Sequence, residues 1–111
     1  MYKFLIEVDR QYSNEVQKLL EQEGAQVRYY IEMAEAPPGL PHIMMVEIAK
    51  ELFKAAMQRL IDWYKRKKRQ DPTFEFRLMR YSETTFKSQG PEIKGFETKS
   101  LEELEIKISK G

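Results

Sequence analysis

Ile43-Met44-Met45-Val46-Glu47-Ile48-Ala49-Lys50 is the stretch on which the fold turns. Along this stretch and its continuation, Ile43, Val46, Ala49, Phe53, Ala56 or Met57, Leu60 and Tyr64 recur at three- and four-residue spacing, which predicts one long helix running to about Arg69. Pro72, preceded by Asp71, stops it. A competing reading makes Ile43 to Ile48 a short buried strand and starts the helix near Lys50, because so short an apolar run is ambiguous by periodicity alone. The long helix is the expectation taken forward.

Towards the amino terminus, Tyr2, Phe4, Ile6 and Val8 alternate with Lys3, Leu5 and Glu7, the period of two expected of a strand over residues 2–9. Tyr12, Val16, Leu19, Leu20 and Glu23 share one helical face, with Ser13 or Asn14 available as N-cap and Gly24 placed to end the helix in a left-handed turn. Val27, Tyr29, Ile31 and Met33 restore the alternation, so a second strand comes next, and Pro37-Pro38-Gly39-Leu40-Pro41 must be a loop. Towards the carboxyl terminus, Phe74, Phe76, Leu78 and Arg80 mark the clearest strand, residues 82–91 are turn-rich, and residues 93–98 suggest a weak edge strand. Ser100 with Glu103 forms a capping box ahead of Leu101, Leu104 and Ile108, although Leu104, Ile106 and Ile108 also suit a strand. The order β-α-β-α-β-β-α predicts an α+β fold: a ferredoxin-like two-layer sandwich, its sheet mostly antiparallel with helices on one face, forming a single domain over residues 1–111.

With 111 residues, 33% charged, 41% hydrophobic and a net charge of +1, the composition fits one soluble domain. The longest uncharged apolar run, Ile43 to Val46, falls far short of the roughly 20 residues needed to cross a bilayer. Met1-Tyr2-Lys3-Phe4-Leu5 lacks the apolar core of a signal peptide, so a cytoplasmic protein with no membrane partner is expected. With no cysteine, disulfide scaffolds, thiolate zinc sites, iron–sulfur clusters and cysteine nucleophiles are excluded, and His42 as the single histidine excludes a multi-histidine metal site within the chain. No metal and no cofactor is expected.

Charge is unevenly distributed. Residues 1–55 carry six Lys/Arg against nine Asp/Glu, and residues 56–111 carry thirteen against nine. Lys65-Arg66-Lys67-Lys68-Arg69 comes directly after Trp63-Tyr64, with Arg59, Arg77 and Arg80 near it in sequence. Such a run neutralises phosphates, and Trp63, Tyr64 or Tyr30 offer stacking platforms, which together describe a single-stranded RNA or DNA site. The same run also suits a solvated helix end, where cations complement the dipole. Lys94-Gly95-Phe96 has the opening of the strand motif with which RNA recognition motifs stack bases, but Glu97-Thr98-Lys99 replaces the small and aromatic residues required next. No phosphate loop or dinucleotide fingerprint is present.

Reactive groups are sparse. His42, at a loop–helix junction, is a general base only if Glu35 or Glu47 orients it, and is otherwise a capping or surface residue. Glu7 and Asp9 on the first strand, and Glu102, Glu103 and Glu105 near the terminus, read as solvated faces. Ser82, Thr84, Thr85 and Ser88 have no second histidine or Ser-x-x-Lys neighbour, so no catalytic residue and no enzyme is expected. If Tyr29 lies in the core, Tyr30 joins Leu5, Met79 and Tyr81 on the sheet face that the helices leave uncovered. That face, flanked by Lys3, Arg28 and Arg77, is either an apolar surface for another protein or a second copy, or a cluster covered by the 82–91 loop or the last helix.

Leu60-Ile61-Asp62-Trp63-Tyr64-Lys65-Arg66-Lys67-Lys68-Arg69 followed by Thr73-Phe74-Glu75-Phe76-Arg77-Leu78 resembles the effector-associated constant component domains of bacterial conflict systems, whose second helix closes with a tryptophan and a basic run before a strand. The likeness is specific around residues 57–78, and Tyr81-Ser82-Glu83-Thr84-Thr85 stands where that family has an Asp-Gly hairpin. The resemblance implies a non-catalytic adaptor joining sensor and effector components of a bacterial defence system.

Overall fold

The computed structural model describes residues 1–29, 40–82 and 90–110. Its elements are β1 (Tyr2–Val8), α1 (Arg10–Gln22), β2 (Gln26–Tyr29), β3 (His42–Ile48), α2 (Lys50–Gln70), β4 (Phe76–Arg80), a short 3-10 turn (Phe96–Thr98) and α3 (Leu101–Ser109). The sheet order is β2-β3-β1-β4, with every neighbouring pair antiparallel. Two β-α-β units therefore interleave, and the α+β sandwich of ferredoxin-like layout expected from sequence is present.

The expected helix over residues 43–49 is corrected: this segment is β3, and α2 begins only at Lys50. β3 lies between β1 and β2, pairing Met45 with both Leu5 and Arg28. Met44, Val46 and Ile48 face the helices, while Ile43 belongs to a cluster on the other side. Burial on both faces removes the polar alternation that marks a half-exposed strand, and what remains mimics a helical stripe. From Lys50 on, the anticipated helix face is correct, with Phe53, Ala56, Met57, Leu60 and Ile61 buried.

The main core lies between the sheet and all three helices, joining Phe4, Ile6 and Val8 of β1 to Val16 and Leu20 of α1, Phe53 and Leu60 of α2, and Leu104 and Ile108 of α3. Gly24, at φ +94°, ends α1 as expected. Its N–H donates to Glu21 O at 3.0 Å while Ala25 N–H reaches Leu20 O at 3.0 Å, the paired bonds of a Schellman ending. The capping box also forms, with Glu103 N–H donating to Ser100 Oγ at 3.1 Å, so the terminal element is a helix.

Two local expectations change. α1 starts at Arg10 after Asp9, so Ser13 is inside the helix rather than at its cap, and the Asp9 carboxylate instead accepts from Glu75 N–H at 3.1 Å. Residues 93–98 form no strand; an isolated bridge joins Glu92 to Met79, and Gly95 at φ +65° turns the chain into the 3-10 segment. Residues 30–33 of the second expected strand, most of the proline loop, and Thr84, Thr85 and Ser88 lie outside the described residues. Among the described residues no helix is long and apolar enough to cross a membrane.

Candidate interaction site

On the helix-free face, strand register sets a row of Arg28, Met45, Leu5 and Met79 across β2, β3, β1 and β4. Leu5 and Met79 are each only 1% exposed, and with Ile43 they form a second buried cluster against which Met45 and Tyr81 pack. Charges frame it: Arg28 pairs with Glu47 at 2.8 Å, Arg77 with Glu7, and Lys3 Nζ lies 5.7 Å from the Tyr81 ring centroid. The expected contact surface of Leu5, Tyr30, Met79 and Tyr81 is thus corrected. Leu5 and Met79 are buried because β3 adds Ile43 and Met45 beside them; Tyr81 is half-buried, and Tyr30 lies outside the described residues.

The basic run is divided by helix rotation. Lys65, Arg66 and Arg69 are exposed, whereas Lys67 and Lys68 are half-buried. Lys67 Nζ donates to Glu15 Oε1 at 3.3 Å and lies 4.8 Å from the Tyr12 ring centroid. Lys68 Nζ donates to Phe74 O at 3.1 Å and sits 5.3 Å from that ring's centroid. Trp63 is 4% exposed, edge-on to Phe74 at 5.7 Å, and Tyr64 packs on Phe74, Phe76 and Phe96. Neither ring is free to stack on a base. Five consecutive cations span more than a full helical turn, so two of them necessarily follow the core-facing side on which Tyr64 lies. An open cleft of about 410 Å³ beside this helix end is lined by Glu7, Lys68, Glu75 and Arg77 among others, a balance of charge without a single-sign field.

His42 points between the sheet and α1, its Nδ1 2.9 Å from Ser13 Oγ and its ring 4.9 Å from that of Tyr29. Ser13 is buried and its hydroxyl donates to Arg10 O at 2.9 Å, so the imidazole donates to Ser13 and the serine acts as a clasp. Burial, with Arg10 nearby, holds the His42 pKa below the ordinary range. Glu47 points to the opposite sheet face and Glu35 lies outside the described residues, so the expected orienting carboxylate for His42 is not found. Tyr12, directly before Ser13 on α1, donates to Asp71 Oδ2 at 2.7 Å, which pushes its pKa up to about 12 and lowers that of Asp71. Among the described residues no group of acidic or histidine side chains is placed to hold a metal.

The two borders of the sheet differ. Beyond β4, Arg80 N–H donates to Pro91 O at 2.9 Å and Ile93 N–H to Leu78 O at 2.8 Å, so that border is covered along Leu78 to Arg80. Beyond β2 no such bond involves Gln26–Tyr29 among the described residues. Tyr29 is 43% exposed there, and Leu40, which precedes β3 and accepts from Arg10 Nε at 2.8 Å, is 48% exposed. No family model, curated protein or solved structure matches the chain. The residues that distinguish this site, Gln26 to Tyr29 with Leu40, become visible only once strand order is known; the sequence signal was the Tyr29-Tyr30 pair beside a proline loop.

Proposed function

We propose that this chain is a non-enzymatic, cytoplasmic interaction domain that engages another protein along the β2 border of its sheet. The observation that carries the reading is the contrast between the borders: β4 is closed by residues 91–93, whereas β2, among the described residues, offers unpaired strand groups beside exposed Tyr29 and Leu40. Large half-exposed side chains next to arginine match the anchors found at interface centres. The resemblance around residues 57–78 supports a context for this contact, an adaptor in a bacterial defence system. Binary binding between the purified chain and each protein encoded beside its gene tests the reading. The Tyr29→Ala, Leu40→Ala double variant is expected to lose at least tenfold in affinity. Undiminished binding by that variant refutes it.

A second reading is favoured by one specific observation, that Lys65, Arg66 and Arg69 are exposed without an ion-pair partner among the described residues. It assigns them to the phosphates of a single-stranded nucleic acid. Three such contacts give a slope of about −2 in log affinity against log salt. Anisotropy titration of a labelled oligonucleotide that shows no binding at low salt removes this reading.

A further inference from the structure

We propose that the occupant of the β2 border is a second copy of this chain, whose own β2 adds antiparallel about a two-fold axis to make one continuous eight-stranded sheet. This rests on the β2-border reading above and names its partner. Directly opposed residues of an antiparallel pair point to the same face, so the two-fold must pass between one residue and its own equivalent, and side-chain charge selects which one. Centring on Arg28 sets two guanidinium groups against each other. Centring on Val27 pairs Val27 with Val27 of the second copy, Arg28 with Gln26 of the second copy, and Tyr29 with Ala25 of the second copy. The second register opposes no like charges, joins β-branched side chains on the helix-facing side, and sets the exposed Tyr29 ring over a small buried residue.

The assembly closes at two copies. Residues 91–93 occupy the β4 border beside Leu78 to Arg80, so a dimer formed through β2 presents no second open border of that kind among the described residues. The net charge of +1 gives little long-range repulsion between copies.

The absence of native cysteine makes the test direct. Opposed Cα atoms in an antiparallel pair lie about 4.5–5.5 Å apart, within disulfide reach, so Val27→Cys is expected to form a covalent dimer under mild oxidation. Arg28→Cys sits about 8 Å from its own equivalent in this register and stays unlinked. Charge supplies a second test. Gln26→Glu, facing Arg28 of the second copy twice, tightens the dimer roughly 2- to 30-fold, and Gln26→Arg loosens it by a similar factor. Within one chain Gln26 faces Glu47 across β3, so the same two substitutions shift monomer stability in the opposite sense. A change in folding therefore cannot imitate the result. Light scattering that finds the wild type monomeric at every concentration overturns self-pairing, while the affinity of the Tyr29 and Leu40 variant for a foreign protein still decides the broader reading. A dimer that links through Arg28→Cys and not through Val27→Cys also overturns the proposal.

Discussion

Replacing Leu5 by alanine separates two accounts of the helix-free sheet face. Leu5 is 1% exposed, held between Met45 and Met79 in its own row with Ile43 and Tyr81 beside it. The substitution removes three carbons, about 2.4 kcal/mol of transfer free energy at about 0.8 kcal/mol each. Incomplete closure of the remaining space adds to this, but Met45 is an adaptable thioether at the margin of the cluster and moves in, so the total settles at about 3 kcal/mol, in the lower half of the range for buried Leu→Ala changes. A domain of 111 residues has an unfolding entropy of about 0.23 kcal/mol/K, so the melting midpoint falls by about 13 °C. Differential scanning calorimetry of wild type, Leu5→Ala and Met79→Ala measures this, with Lys65→Ala as an exposed control that stays within about 0.5 kcal/mol of wild type. A fall of less than about 3 °C for Leu5→Ala means that Leu5 is not packed. The face would then be a free apolar surface, and Leu5 with Met79 would return as contact residues.

Acidification destabilises the fold in two steps. His42 is held below its ordinary pKa, so the unfolded chain takes up its proton first and stability declines as pH falls from about 7; His42→Gln flattens that arm of a denaturant-midpoint profile. Asp71 is lowered chiefly by the Tyr12 hydroxyl, so its contribution is present above the ordinary carboxylate range and is lost as pH falls through the lower folded value. The contribution from Tyr12, whose pKa is raised to about 12, is present below pH 10 and lost as pH climbs from 10 towards 12. Tyr12→Phe removes both the most acidic and the most alkaline arms, and an unchanged profile contradicts the assignment. A Cβ at Gly90 would stand 1.5 Å from Arg80 O, so Gly90→Ala pushes residues 91–93 off β4, and sedimentation velocity is expected to show species larger than a dimer. Gly24→Ala meets Leu52 Cδ1 at 2.7 Å and a φ of +94°, costing about 1–2 kcal/mol in chemical denaturation.

Elements decided by local chemistry were legible in the chain. β1, α1 with its Gly24 ending, β4 and the Ser100 cap each follow from an apolar face or a capping side chain that acts within a few residues. β3 was not, because its second buried face is made by Leu5 and Met79, distant in sequence, and only their presence explains an apolar run without alternation. The division of the basic run was open to reading, since Lys67 and Lys68 stand three and four residues after Tyr64 and share its side of the helix. Nothing local announces the Ser13–His42 clasp, whose partners are 29 residues apart. The residues at 63–76 are held by packing: Trp63 and Tyr64 close one end of the core against Phe74 and Phe76, and two of the cations after them, Lys67 and Lys68, lie over aromatic rings.

The identity of β3 also decides where a partner can attach. With residues 43–48 as a helix, the sheet would lose one of its two central strands, and β2 would have no β3 to join. Because this segment is a strand paired on both sides, β1 and β3 are saturated with neighbours and only β2 and β4 remain as borders. The border at β4 is then approached closely by a backbone that only glycine at position 90 permits, followed at once by Pro91, whose carbonyl accepts from Arg80 N–H. Among the described residues the proposed pairing therefore falls on Gln26–Tyr29, a segment whose alternating side chains bring Val27 to one face and Arg28 to the other. A strand this short cannot supply affinity from backbone bonds alone, so Tyr29 and the charge opposite Arg28 must set both strength and register. Substitutions at Gln26 and Tyr29 should therefore change assembly more than equally exposed substitutions at Lys65, Arg66 or Arg69.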